Sequence, residues 1–283
     1  VEPAIGKAIA DTILSHLAEG RYADMKKAGQ LADALTEDAL AVSGDKHIWI
    51  EAVNPYHVQS TYAENRPIEE LRRENFHFRK VEVLPGNVGY LKFDMIHDEQ
   101  EAQDIAARAM ASVKDCDALV FDLRDNIGGE FESGRLIMSY VLPESTIVSR
   151  MYDRAGRLLR TNATLKQLPG AQFDPSVPVY VLTSGRTGSA AEGFAYALQQ
   201  SRRATVVGQT TLGMAHPSEE VTVNSRFLMS VPIYRVESAF AEKSFQGMGV
   251  VPDISVPEQN ALDAALNDSK KRIHNTVPER RPN

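Results

Sequence analysis

Cysteine is nearly missing from the 283 residues: Cys116 is the single one. That excludes an intrachain disulfide and a cysteine-built zinc site, and the apolar run ALVF just after it marks the thiol as buried. No apolar stretch reaches 18 residues, so no membrane span is expected. Basic residues are not massed. Thirty-one Lys and Arg stand against 38 Asp and Glu, a formal charge of −7, and the short run KKR at Lys270–Arg272 is the nearest thing to a basic patch. Nucleic acid is therefore not an expected partner. Phosphate loops, dinucleotide fingerprints and metal-spaced His/Glu clusters are absent, so no cofactor and no metal are expected. There is no internal repeat and no low-complexity segment.

What is present is an ordinary globular composition, 43% hydrophobic, enough for one large core or two modest ones. The sequence opens at Val1 without methionine, which fits a trimmed chain or a cleaved signal peptide equally, with a lean towards export. Ile5, Ile9, Ile13 and Leu17 recur every four residues, and further helical runs cover 22–28 and 31–40. A small helical domain is expected over 1–45. Residues 46–80 read as a linker and first strand region, irregular and polar from Asn54 to Asn75. From 81 to 257 short β runs alternate with helices: VEVLP, NVGYLKFDMI, a helix over 99–113, ALVFDL, the helix FESGRLIMSYVL, VPVYVLTS, the helix SAAEGFAYALQQ, ATVVGQT and a hairpin over 219–236. Such alternation implies an α/β core with parallel strand pairs. One short helix and a frayed tail are expected over 258–283.

Four segments at strand ends carry the chemistry, and each has a plainer reading. DLRDNIGG (122–129) is rich in turn residues, yet its Gly-Gly leaves backbone N–H groups open to a developing oxyanion. In TSGRTGSAAEGFAYAL (183–198), Ser189 and Glu192 fit a helix capping box. The same hydroxyl, at a strand-to-helix turn beside free helical N–H groups, fits a nucleophile. GDKHIWI places His47 at the start of a strand-like run, where a lone histidine is ordinarily a satisfied surface residue. FQGMGVVPDI (245–254) reads as a turn into a final strand ended by Pro252 and Asp253.

The order DLRDNIGG, VPVYVLTSGRTGSAAEGFAYAL, ATVVGQTTLG and FQGMGVVPDI resembles the tail-specific or C-terminal processing peptidases, the S41 serine peptidases, from about Val81 to Val256. The helical N-terminus resembles the branch that holds the interphotoreceptor retinoid-binding protein repeats and the tricorn protease core. The resemblance implies a crotonase-like spiral of β-β-α units, preceded by the small helical domain. It also implies a serine nucleophile three residues before the helix glutamate, which is Ser189. Oxyanion donors implied in this way are Gly129 and Ala190, with Gly128 close behind.

The sequence also departs from the family. Processing peptidases pair the serine with a lysine 25 residues on, and here Met214 stands in that place. The tricorn-like branch uses a histidine, which His47 matches, and a glutamate just before the Gly-Val-x-Pro-Asp segment, where this sequence has Gln246. A Ser189–His47–Gln246 triad is the resulting expectation, with His216 as an alternative base. A neutral glutamine can fix the imidazole tautomer but cannot stabilise its cation, so weak activity is expected. No PDZ-like insert is read between the helical region and the catalytic strands, because Phe76 to Val83 leads straight into NVGYLKF. Two functions are implied: a serine peptidase acting on a peptide or protein, or a weak or inactive member that binds an apolar small molecule or peptide in the old cleft. Oligomeric state is not indicated.

Overall fold

A computed structural model describes residues 2–53 and 67–276. Most of the stretch read as an irregular linker, 54–66, and the tail after 276 lie outside the described residues. The N-terminal region forms two helices, α1 (Pro3–Ala18) and α2 (Ala28–Ser43). The helical run expected over 22–28 is instead a turn followed by irregular chain up to the start of α2. Tyr22 leaves the helical path because its hydroxyl donates to the buried Asp38 carboxylate at 2.5 Å, beside His16 Nδ1 at 2.8 Å and Arg21 Nε at 3.2 Å. That buried acid ties α1, the turn and α2 together.

Strand β1 (Trp49–Ala52) follows α2, and Thr36 Oγ1 on α2 receives the Ile50 N–H at 2.8 Å. Ile9, Ala39 and Ile48 are buried at this junction. Part of the stretch read as linker is helix: α3 spans Ile68–Arg73, and a 3-10 turn covers Asn75–His77. Next come β2 (Phe78–Leu84), β3 (Val88–Phe93), α4 (Gln100–Ser112), β4 (Ala118–Asp122) and α5 (Glu132–Val141). The strands β5 (Ile147–Tyr152) and β6 (Leu158–Ala163), absent from the sequence reading, pair as a hairpin. The remaining elements are β7 (Val179–Thr183), α6 (Ala190–Gln200), β8 (Thr205–Gly208), β9 (Ser218–Asn224), β10 (Phe227–Pro232), β11 (Arg235–Ser238), β12 (Ile254–Ser255) and α7 (Ala261–Thr276). The last strand thus starts after Pro252 and Asp253, whereas the sequence reading placed it before them. The final helix is 16 residues long rather than short.

The main sheet has the order β12-β8-β7-β4-β3-β2 and is parallel except between β2 and β3. This is the α/β class expected from the alternation. Both faces are covered, which is why ALVF and VYVL are continuously apolar. Leu119, Phe121 and Val181 point into the larger core with α4, α5 and α6, while Val120, Tyr180 and Leu182 face Ala261 and Ala265 of α7. Phe194 sits edge-on to Phe121 and Phe93, with ring centroids 5.4 and 6.1 Å away. Burying such a ring contributes about 1.5–3 kcal/mol, and here it fixes α6, which Ser189 immediately precedes, against the sheet. Two three-stranded sheets, β1-β10-β9 and β11-β5-β6, complete the fold.

Candidate active site

Ser189 and the DNIGG turn meet at the carboxyl ends of the adjacent parallel strands β7 and β4, where open α/β sheets place their ligands. Side-chain and backbone hydrogen bonds lock the two loops together. Ser184 Oγ donates to the Arg124 carbonyl at 2.5 Å, Thr187 Oγ1 to the Leu123 carbonyl at 2.8 Å, and the Gly188 N–H to the Asn126 carbonyl at 3.0 Å. Asp122 and Arg124, charged members of DLRD, are structural. The buried Asp122 carboxylate accepts from Arg124 Nε at 2.9 Å and from the Tyr90 hydroxyl at 2.6 Å. Burial opposes its charge, but these partners outweigh burial and hold its pKa below the usual carboxylate range.

Ser189 has φ 50° and ψ −119°, a backbone conformation that glycine normally supplies. Its N–H donates to the Glu192 carboxylate at 2.8 Å, so the glutamate half of the expected capping box is present. Its hydroxyl faces His47, with Oγ 3.3 Å from Nε2. That is the long end of hydrogen bonding, as catalytic pairs often are before substrate binds. The strained backbone makes a stability prediction. Ser189→Gly should be more stable than Ser189→Ala by about 1 kcal/mol, because glycine relieves the positive φ and alanine keeps it. Urea unfolding of the two variants checks this, and equal midpoints would mean that the turn is unstrained.

The glycines beside Ser189 are required by contact as well as conformation. Gly128 has φ 112°, and a Cβ there would lie 2.7 Å from Ser189 Cβ. Gly129 has φ 108°, and a Cβ would lie 2.3 Å from the Ile96 carbonyl oxygen. Asn126, fully buried, sets the turn: its Nδ2 donates to the Phe93 carbonyl at 2.9 Å and its Oδ1 accepts the Gly128 N–H at 2.8 Å. The Gly128 N–H is thereby occupied. Among the described residues, the N–H groups of Gly129 and Ala190 have no acceptor. Of the three expected oxyanion donors, these two are the available ones.

His47 lies just beyond the αL residue Gly44 that ends α2, and is 7% exposed. The group facing its Nδ1 is Asp45, with Oδ1 at 3.2 Å, and the same oxygen accepts the His47 N–H at 2.9 Å. This is an Asx-type turn in which the carboxylate two residues before the histidine folds back onto the ring. The expected third member, Gln246, is committed elsewhere: its Oε1 accepts the Ala215 N–H at 2.7 Å. His216, the alternative base, faces the other oxygen of the same acid, its Nδ1 3.4 Å from Asp45 Oδ2. Burial opposes charge on Asp45, but its contacts with His216 and His47 prevail and hold its pKa well below the usual carboxylate range. The residue missed in the sequence is therefore Asp45, and its signal was the D-x-H spacing inside GDKHIWI.

Met214, at the family's lysine position, shows how this loop is held without a cation. The fully buried Glu192 carboxylate accepts from Ser189 N–H, Thr211 Oγ1 at 2.5 Å, Gly213 N–H at 2.6 Å and Met214 N–H at 2.8 Å. Four donors satisfy a charge that would otherwise be costly to bury. The glutamate is thus more than a cap: it fastens the start of α6 to residues 211–214.

A serine, an imidazole and a carboxylate in series beside free backbone N–H groups form the arrangement found in serine hydrolases. The model of peptidase family S41 matches residues 87–256, more than half of the chain, and the chain belongs to that family. It is similar to a carboxy-terminal-processing protease of Bartonella bacilliformis, 29% identical over 207 residues, which cover 68% of this chain and 45% of the relative. A carboxyl-terminal-processing protease of Synechocystis is 30% identical over 182 residues, 64% of this chain and 40% of the relative. The chain spans less than half the length of these relatives. In fold it is similar to a lipoprotein from Streptococcus agalactiae, with a TM-score of 0.58 at 16% identity, covering 94% of this chain and 88% of that one. Mature CPAF superposes with a TM-score of 0.52 at 15% identity over 68% of this chain and 52% of that one.

Proposed function

We propose that the protein is a serine peptidase that cleaves peptide bonds of a peptide or protein substrate through an acyl-enzyme, with Ser189 as nucleophile, His47 as general base and Asp45 as the group that orients the imidazole. The observation that carries this reading is the series Ser189 Oγ, His47 Nε2, His47 Nδ1, Asp45 Oδ1, with separations of 3.3 and 3.2 Å. His47 Nε2 removes the hydroxyl proton as Oγ attacks the scissile carbonyl, and returns it to the departing amine. Asp45 accepts the Nδ1–H and so leaves Nε2 as the basic nitrogen. Its negative charge then stabilises the imidazolium, which a glutamine could not do. The N–H groups of Gly129 and Ala190 receive the carbonyl oxygen as it gains charge. A water molecule, deprotonated by the same imidazole, then releases the acyl group.

The processing-protease names of the curated relatives support a polypeptide substrate. The carboxylate on His47 favours catalysis over the alternative of an idle cleft that binds apolar ligands, since binding alone has no need of a buried acid on the imidazole. The test is digestion of an unstructured polypeptide with the products sequenced by mass spectrometry. New termini with the wild-type protein, and none with Ser189→Ala, are expected. Intact polypeptide with both would overturn the reading.

A further inference from the structure

We infer that His216 is a positioning residue for this reaction, acting through Asp45. The inference rests on the peptidase reading and extends it to a residue that does not touch the nucleophile. Asp45 has both oxygens engaged by imidazoles: Oδ1 faces His47 Nδ1 at 3.2 Å, and Oδ2 lies 3.4 Å from His216 Nδ1. The three side chains are nearly enclosed, at 10% exposure for Asp45, 8% for His47 and 14% for His216.

A carboxylate held by one oxygen alone can turn about its last bond, because the terminal torsion of aspartate is broad. The Asx turn anchors Oδ1, and His216 anchors Oδ2. With both held, the plane of the carboxylate is set, and Oδ1 stays on the ring nitrogen that becomes cationic in the transition state. His216 serves this purpose through its Nδ1, which faces Oδ2.

The arm that carries His216 is built to hold it there. Three successive backbone N–H groups before it are pinned: Gly213 and Met214 to the buried Glu192 carboxylate, and Ala215 to Gln246 Oε1 at 2.7 Å. The loop bearing Gln246 is itself anchored, since the Gly247 N–H donates to the Gly213 carbonyl at 2.8 Å and the Tyr196 hydroxyl to the Lys243 carbonyl at 2.7 Å. Lys46, next to Asp45 in the chain, is turned to the Leu212 carbonyl at 2.8 Å, bracing the same arm from the other side. Both departures from the family pattern thus lie on this arm or on the loop that braces it. Met214 contributes its backbone to the Glu192 cluster, and Gln246 fixes the residue next to His216.

The experiment is the rate at which a fluorophosphonate labels Ser189 in the full chain, compared among wild type, His47→Ala, His216→Leu and His216→Asn. Leucine fills the space without a donor, whereas asparagine places an amide N–H near the position of Nδ1. His216→Leu should label about 10- to 100-fold more slowly, the loss expected when a reacting group is misplaced by a fraction of an ångström to one ångström. His216→Asn should recover most of the wild-type rate, with thermal melting unchanged in both variants. Labelling of His216→Leu at the wild-type rate, or equal impairment of both variants, overturns the inference while slow labelling of His47→Ala leaves the peptidase reading standing. Equal labelling of wild type and His47→Ala overturns both.

Discussion

Ser189→Ala is expected to lower peptide hydrolysis by about 10⁴-fold or more while the protein folds as before. Among the described residues, the hydroxyls of the same loop are already committed. Thr187 Oγ1 is spent on the Leu123 carbonyl and the Ser184 N–H, and Ser184 Oγ on the Arg124 carbonyl. The substitution leaves the Glu192 carboxylate on the residue 189 N–H and leaves the N–H groups of Gly129 and Ala190 in place. Substrate should therefore still bind, with KM changed far less than kcat, and the variant should hold intact polypeptide. Measured kcat and KM on one synthetic peptide decide this. A variant that keeps even about a tenth of wild-type turnover would mean that another nucleophile or a bound water attacks the carbonyl.

Asp45→Asn should have the second largest effect, about 10³- to 10⁴-fold in kcat. In serine proteases of unrelated fold the same change costs about 10⁴ and leaves the geometry intact, because the amide favours the wrong imidazole tautomer. Here the amide would also face His216, and one of the two imidazoles would lose its acceptor. The acid is anionic throughout the working range, since its pKa is held well below that of a free aspartate. Such a depressed pKa contributes stability that is present above the unfolded value and is lost as pH falls through the folded one. Asp45 therefore sets no activity limb near neutral pH. Gln246→Glu, by contrast, should bring no gain in turnover, because the carboxylate that the triad needs is already at His47 Nδ1. A clear rise in kcat in that variant would put residue 246 back beside the imidazole.

Ser189, His47 and the Gly-Gly turn each had a plain structural reading in the sequence, and the order of the segments, not any single one, drew attention to them. Gly128 and Gly129 hold positive φ against Ser189 and Ile96, and no other residue type fits both demands. Asp45 was hidden. An acid two residues before its own histidine leaves no long-range spacing to recognise, and the short-range D-x-H signal also fits the polar end of a helix. Gln246 was overread, since its position along the chain matched a family glutamate while its oxygen is used by the Ala215 N–H. The central main-sheet strands β4 and β7 were legible from their continuous apolar runs. The hairpin of β5 and β6 was not, because Leu158–Arg160 point to solvent and mask the two-residue alternation. Tyr22 broke a helical pattern for a tertiary reason, a hydrogen bond to an acid 16 residues further on.

The most direct measurement is the site and rate of fluorophosphonate attachment in the intact protein, mapped by mass spectrometry of the digested adduct and repeated in Asp45→Asn. An activated hydroxyl is all that the probe requires, so no knowledge of the substrate enters. A single adduct on Ser189, formed at least about 100-fold more slowly in Asp45→Asn, is the predicted result. No adduct on Ser189, or an adduct formed at the same rate in both proteins, would contradict a Ser189–His47–Asp45 site.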